Sequence, residues 1–143
     1  MTITLSDDAR RRMALFEDAT GATAVDCVEQ EFDEERRIVY VVATGEMGQA
    51  IGPGGSNVER LEERLGCDVE LVEDADTPAN FVANALAPAA VYNVTMSEND
   101  DLVAYAEVDS EDRGIAIGAG GRNIELARRL ARRHFDVDDV QLA

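Results

Sequence analysis

Several residue types are absent or scarce in this chain of 143 residues. Because there is no lysine, the chain cannot form the P-loop of nucleotide-binding enzymes, which places a lysine on the phosphates. Cys27 and Cys67 lie far apart and His134 is the one histidine, so we expect two reduced, packed cysteines and a packed histidine, with no metal site. No apolar run could span a bilayer, and Met1–Phe16 lacks the apolar region of a signal peptide. We therefore expect a cytoplasmic protein with no cofactor and no membrane contact.

The balance of charge is also unusual. All 13 basic residues are arginine, and 30 aspartates and glutamates give a net charge of −17. By itself such acidity argues against a nucleic-acid partner. Acidic surfaces without lysine are, however, similar to those of proteins from extreme halophiles, and at molar salt the Debye length falls to about 3 Å. The net charge therefore says more about the solvent than about the partner.

A segment of twelve residues occurs twice. Gly48–Glu59 and Gly114–Glu125 align at an offset of 66 positions (114 − 48), and eight of the twelve aligned residues are identical. Internal repetition decides the domain count, and here it predicts two units of about 70 residues each. Units of this size bury a limited core, so we expect the two to pack together.

Hydrophobic periodicity and capping residues predict the elements of the first unit. Thr4 or Ser6 can cap a first helix, which Gly21 ends. Residues 24–30 and 37–43 read as two strands joined by a polar turn at 33–35. A short helix at 47–51, a glycine turn, a longer helix ended by Gly66 and a strand at 68–72 complete the unit.

The second unit is predicted to repeat this order. The acidic residues 73–76 form a linker, and Thr77 with Pro78 opens a helix that Pro88 stops. Strands at 91–96 and 102–108 precede a short helix at 114–117, a second glycine turn, a long helix to about Phe135 and a strand at 140–142.

Each glycine turn lies directly before a helix. Glycine permits positive φ and close backbone approach because it has no Cβ. The first amides of the following helix lack intrahelical partners and, with the helix dipole, favour an anion. Gly52–Gly55 and Gly118–Gly121 are therefore candidate sites for a phosphodiester backbone.

These turns resemble the Gly-x-x-Gly loop of the K-homology (KH) module, which clamps about four nucleotides of single-stranded RNA. The order of elements is similar to that of the type II, or prokaryotic, form of the module. Two such modules in tandem resemble the archaeal relatives of the transcription factor NusA, and segments 112–118 and 131–135 are particularly similar to that family. The resemblance implies an α/β (α+β) fold of two tandem type II KH domains, residues 1–74 and 77–143. Each domain would be a three-stranded sheet packed against helices.

The resemblance also implies the RNA-binding residues. In the first unit they are Ile51, Gly52, Pro53, Gly54, Gly55 and Asn57. In the second they are Arg113, Ile117, Gly118, Ala119, Gly120, Gly121, Arg122 and Asn123. The family usually has a basic residue between the two glycines, which is missing here, so phosphate affinity would rest on backbone amides and helix ends. The groove floor is expected to consist of Ala50, Ile51 and Val58 in the first unit and Ala116, Ile117 and Ile124 in the second.

Positive charge is concentrated in the second unit. From Arg113 to His134 there are six arginines and one glutamate, a local charge of +5 (6 − 1). At about 100° per residue, five of them form one arc of the long helix: Arg122, Arg128, Arg129, Arg132 and Arg133. Such an arc is either a solvated face or a contact surface for RNA or protein. If one unit dominates RNA contact, we expect it to be the second.

Two functions remain after the exclusions. The Walker and dinucleotide motifs are missing and His134 has no evident catalytic partner, so we expect no enzyme and no small-molecule substrate. The favoured function is a transcription elongation, termination or antitermination factor that binds single-stranded RNA, the nascent transcript, with RNA polymerase as a further partner. The alternative is a KH-fold module that docks on RNA polymerase or a ribonucleoprotein and has little RNA binding of its own.

Overall fold

The computed structural model describes residues 3–143 and shows two compact units. One unit is Thr4–Asp74, and the other contains Ala75–Ala143. Both units run helix, strand, strand, short helix, glycine turn, long helix, strand, as the sequence predicts. Among residues 3–143 no helix combines the length and the apolar character that crossing a bilayer requires.

The first unit contains α1 (Asp7–Thr20), β1 (Ala24–Phe32), β2 (Glu35–Val42), α2 (Met47–Ile51), α3 (Ser56–Leu65) and β3 (Asp68–Glu73). Ser6 caps α1 by accepting a hydrogen bond from the amide of Ala9 (3.0 Å). The hairpin is tighter than predicted, since only Asp33 and Glu34, both with positive φ, form the turn. A two-residue turn of this kind matches the twist of paired strands. Both strands therefore extend closer to the turn than their apolar alternation indicates.

The second unit contains α4 (Pro78–Ala85), β4 (Val91–Glu98), β5 (Leu102–Val108), α5 (Arg113–Ile117), α6 (Arg122–Phe135) and β6 (Asp139–Leu142). The Thr77 hydroxyl caps α4 by accepting from the amide of Asn80 (3.2 Å). α4 ends at Ala85, before the Pro88 that was expected to stop it. A 3₁₀ turn at Ser110–Asp112, which the sequence did not indicate, leads into α5.

Both sheets have the same topology, which determines where the glycine turns lie. The first and second strands pair antiparallel, and the second and third pair parallel. Parallel neighbours need a crossover connection. In each unit that crossover consists of the short helix, the glycine turn and the long helix. The turn is therefore held between a short and a long helix that pack against each other, and the long helix packs on the third strand of the sheet.

Aromatic residues mark the centre of each core. In the first unit Phe16 and Tyr40, both fully buried, stack with ring centroids 4.6 Å apart. In the second unit Phe81 packs against His134 (5.4 Å) and Phe135 (5.2 Å). His134 is thus a packed residue, as expected.

The two cysteines are free thiols in different environments. Cys27 is buried in the first core, and burial raises its pKa to about 12, whereas Cys67 is half-buried. Because its side chain is only half-buried, Cys67 should react with an alkylating reagent in the folded chain. The thiolate is the reactive form, so the raised pKa slows the reaction of Cys27 at about pH 8. Cys27 should react about a thousandfold more slowly than a thiol whose pKa has the ordinary value of 9.0. Mass spectrometry of the alkylated chain, with and without denaturant, measures both rates.

The same burial predicts a pH dependence. Between pH 9 and pH 12 the unfolded thiol loses its proton and the folded Cys27 keeps it, so the free energy of unfolding should fall across this interval. A Cys27→Ala variant lacks the titrating group and should show a smaller fall. Rapid alkylation of native Cys27 would contradict its buried position.

Candidate nucleic-acid interface

The two glycine loops have nearly the same backbone conformation. Gly52 has φ 76° and ψ 169°, and Gly118 has φ 77° and ψ 170°. The third loop residues also agree, Gly54 at φ 62° and ψ 20° and Gly120 at φ 61° and ψ 15°. A twelve-residue repeat in the sequence therefore forms a repeated three-dimensional turn.

One asparagine holds each loop from behind. Asn57 Nδ2 donates to the carbonyl oxygen of Gln49 (3.0 Å), and Asn123 Nδ2 donates to that of Ile115 (2.8 Å). Each bond joins the first turn of the long helix to the preceding short helix. Both asparagines belong to the predicted binding set, and the structure gives them a role in holding the turn.

The asparagine side chains explain the first glycine of each loop. A Cβ on Gly52 would lie 2.8 Å from Asn57 Cγ, and a Cβ on Gly118 would lie 2.6 Å from Asn123 Cγ. Non-bonded carbon atoms do not approach so closely. In addition, positive φ combined with ψ near 170° is a conformation that essentially only glycine adopts. The first glycine is thus required by the fold of the loop itself.

The tips of the loops are open. Pro53, Gly54, Ala119 and Gly120 are all exposed. A Cβ built on Gly54 would meet no atom of the described residues within 4 Å, its chain neighbours aside. Another backbone can therefore approach this peptide closely.

The helices that follow the loops, α3 and α6, differ from α1 and α4 at their first turn. α1 and α4 are capped by the side chains of Ser6 and Thr77. α3 and α6 instead begin after Gly55 and Gly121, which have no side chain to accept from the first amides. The first amide of each helix donates within the turn, Ser56 to the carbonyl oxygen of Pro53 and Arg122 to that of Ala119. The positive end of the helix dipole, which faces the loop, still favours an anion there.

The predicted groove floor needs correction. Ala50 and Ala116 are fully buried and Ile124 is 6% exposed, so these three residues belong to the core. Successive helical residues point about 100° apart, and for this reason the next residue along each short helix faces solvent. Ile51 is 38% exposed and Ile117 40% exposed, while Val58 is half-buried.

Three of the six arginines of the second unit bind the backbone of its last strand. They donate to carbonyl oxygens at or beside β6: Arg132 to Asp138 (2.8 Å), Arg128 to Val140 (3.0 Å) and Arg113 to Ala143 (3.0 Å). β6 is an edge strand, whose outward carbonyl groups need partners. The arginine arc is thus partly structural, which its helical spacing could not reveal. Arg122 belongs to the predicted binding set, and Arg129 is exposed about two turns further along α6.

The first unit presents the opposite charge along α3, the helix that follows its loop. A depression of about 450 Å³ on α3 is lined by Glu59, Glu62, Glu63, Cys67 and Asp68. Glu62 Oε2 accepts a hydrogen bond from the amide of Val69 (3.1 Å), which fixes one of these carboxylates. No group of three or more potential metal ligands comes together in the described part of the chain.

Three exposed large hydrophobic side chains were not predicted: Ile115, Tyr92 and Tyr105. Ile115, on α5 beside the second loop, is 45% exposed, and its counterpart in the first unit is the polar Gln49. Tyr92, 66% exposed on β4, donates its hydroxyl proton to Asp109; this hydrogen bond holds the pKa of the carboxyl below its ordinary value and raises that of the phenol. The sequence Ile115-Ala116-Ile117 could have indicated the exposure of Ile115. Consecutive residues of a helix point in different directions, so the two isoleucines cannot both face the core that Ala116 faces.

Comparison with known proteins assigns the family. The profile described as KH domain matches residues 10–94, and the profile described as NusA-like second KH domain matches residues 78–143. Together they extend over most of both units.

Similar chains occur in halophilic archaea and in bacteria. A "Probable transcription termination protein NusA" of Halobacterium salinarum is 64% identical over 142 residues, 99% of each chain. The protein of the same name in Halococcus morrhuae is 61% identical over 143 residues, the full length of both chains. The "Transcription termination/antitermination protein NusA" of Mycobacterium bovis is 32% identical over 123 residues, which are 83% of this chain and 35% of that protein.

A solved structure has the same fold. The crystal structure of APE1850 superposes with a TM-score of 0.83 at 30% identity and covers 97% of this chain and 100% of that one. This structural agreement extends over both units. The alignments with the two archaeal relatives above 60% identity also extend over both units. The chain therefore belongs to the archaeal NusA family of proteins with two tandem KH domains.

Proposed function

We propose that this protein binds single-stranded RNA at both glycine loops and acts in transcription as a termination or antitermination factor. The principal support is that each loop pairs an open glycine tip with a helix whose first amides receive no side-chain cap. The two KH domains are assigned to residues 1–74 and 77–143. The binding residues are those predicted from the sequence, together with Ile115.

The geometry suits a phosphodiester backbone. A phosphate oxygen is an acceptor that can receive hydrogen bonds from several helix-terminal amides at once. The exposed glycine tip lets the phosphate come close, because no Cβ separates it from the peptide. The absence of a basic residue between the two glycines of each loop then weakens the attraction without removing the donors.

The neighbouring apolar side chains favour unpaired bases. Ile51 and Ile117 directly precede the loops and are exposed. An exposed isoleucine beside a phosphate site can contact the face of an unstacked base. In a duplex the faces of the bases are stacked on one another and cannot be reached. Single strands are therefore the proposed ligand, in agreement with how KH modules bind RNA.

Transcription is the proposed context because the relatives from Halobacterium and Halococcus are named for transcription termination. RNA polymerase is the proposed second partner, and the nascent transcript the proposed RNA. The acidic face of the first unit supports the alternative, a docking module, for that unit.

An RNA titration separates these functions. In about 1 M KCl, where nonspecific electrostatic binding is suppressed, we expect a fluorescently labelled single-stranded RNA to bind at least about tenfold more tightly than a duplex of the same sequence. Fluorescence anisotropy measures both affinities. If neither RNA binds at any salt concentration at which the chain is folded, the docking module is the correct function.

A further inference from the structure

The two loops share a backbone but not an electrostatic environment. Residues 47–68 carry two arginines and four acidic residues, a charge of −2 (2 − 4), whereas the aligned residues 113–134 carry +5 (6 − 1). The glycine conformations and the asparagine bonds agree between the loops. Differences in phosphate affinity must therefore come mainly from the charged side chains around them.

The negative charges of the first unit lie at a distance from its loop at which the salt concentration determines how strongly they repel a phosphate. Glu62 and Glu63 follow Gly55 by seven and eight residues, which places them about 10 Å or more along α3. The Debye length is about 10 Å at 0.1 M salt and about 3 Å at 1 M. Their repulsion of a phosphate at the loop is thus felt in dilute salt and screened in concentrated salt.

The positive charges of the second unit act in the opposite sense. Arg122 and Arg129 occupy the positions aligned with Ser56 and Glu63. Arg128, aligned with Glu62, is paired with Glu125 and with Asp139 (2.9 Å). Attraction of RNA by arginine depends on counterion release and weakens as salt rises.

We propose that salt concentration sets the division of RNA binding between the two glycine loops: the second loop loses affinity as salt rises, and the first loop keeps or gains affinity. This inference rests on the proposed function, because it requires RNA at both loops. Ser56 and Glu63 in the first unit, and Arg122 and Arg129 in the second, determine the sign.

Two variants isolate the loops. Ala119→Asp with Gly120→Asp leaves the first loop to bind, and Pro53→Asp with Gly54→Asp leaves the second. Each is titrated with a labelled single-stranded oligoadenylate of about eight nucleotides at several KCl concentrations from about 0.2 to about 2 M, and circular dichroism at each concentration verifies the fold. With about two phosphates neutralised, by Arg122 and Arg129, and a slope of about −0.7 for each, the second loop should lose about 25-fold over this tenfold range of salt. The first loop should lose none.

Charge exchange provides the matched control. Ser56→Arg with Glu63→Arg, added to the chain with only the first loop, should give it a falling salt dependence. Arg122→Ser with Arg129→Glu, added to the chain with only the second loop, should flatten its dependence. Glu62 is left in place because its carboxylate accepts the Val69 amide.

The outcomes separate the two proposals. Equal salt slopes for the two single-loop chains, or slopes that charge exchange does not alter, overturn the inference and leave RNA binding intact. Binding by the second loop with none by the first at any salt also overturns it. If the wild-type chain binds no single-stranded RNA at any salt, the proposed function is wrong and the inference falls with it.

Discussion

Replacing Ala119 and Gly120 together with aspartate should weaken binding of single-stranded RNA about 100-fold at about 0.2 M KCl. Both residues are exposed at the loop tip, where a phosphate would lie at the start of α6 and accept hydrogen bonds from backbone amides. Two like charges about 4 Å apart repel by about 1 kcal/mol in water and by more near a protein surface. Two new carboxylates therefore raise the binding free energy by about 3 kcal/mol, which corresponds to about 100-fold in Kd.

The fold should survive this change. Gly120 lies in the left-handed helical region, at φ 61° and ψ 15°, which aspartate tolerates better than most residues. A matched control places the same two charges on the exposed face of β4, as Asn93→Asp with Thr95→Asp, and should alter RNA affinity by less than about twofold. Wild-type affinity in the loop variant, with unchanged melting, would refute the assignment of the loop to RNA.

The sequence predicts the architecture well because its local signals agree with one another. The repeat gives two units, and the caps at Ser6 and Thr77 and the stop at Gly21 fall where the structure has them. Strand ends were less accurate. Asp33 and Glu34 adopt positive φ, which favours asparagine and glycine, so no residue type signals the two-residue turn.

The site was predictable in its backbone and only partly in its side chains. Glycine spacing locates the loops, because positive φ and the need for close approach restrict the residue type. Burial on a five-residue helix is harder to assign, since one turn and a half gives no clear periodicity, and Ala50 and Ala116 were placed in the groove although they pack in the core.

Tertiary hydrogen bonds were invisible to the pattern. The acceptors for Arg113, Arg128 and Arg132 are carbonyl groups at or beside β6, and which strand a helix packs beside follows from the crossover, not from the spacing of arginines. The same limit applies to the asparagines. An amide two residues into a helix can bond to a ligand or to its own loop, and only the fold decides between them.

The loop's first glycine leads to the second large effect, on stability as well as on binding. Gly118→Ala should lower the free energy of unfolding of the second unit by about 2–4 kcal/mol and its Tm by about 10–20 °C. The backbone conformation alone costs about 1–3 kcal/mol for a residue with a Cβ. The clash with Asn123 Cγ, 2.6 Å from the new atom, adds to it. RNA affinity should fall too, because the start of α6 must shift.

Two further variants separate the causes. Gly114→Ala is the control. A Cβ at this helical glycine meets no described atom within 4 Å, its chain neighbours and its own helix backbone aside. Because alanine favours the helix, the Tm of this variant should equal or exceed that of the wild type. Asn123→Ala in the Gly118→Ala background removes the contacts with Cγ and Nδ2 and leaves the contact with Cβ at 3.0 Å. It also removes the bond to Ile115, so it should restore only part of the loss. The two substitutions should then be non-additive, as expected for residues in contact. Thermal unfolding of the wild type, Gly118→Ala, Asn123→Ala and the double variant measures the coupling. Strictly additive losses would show that Asn123 does not press on Gly118.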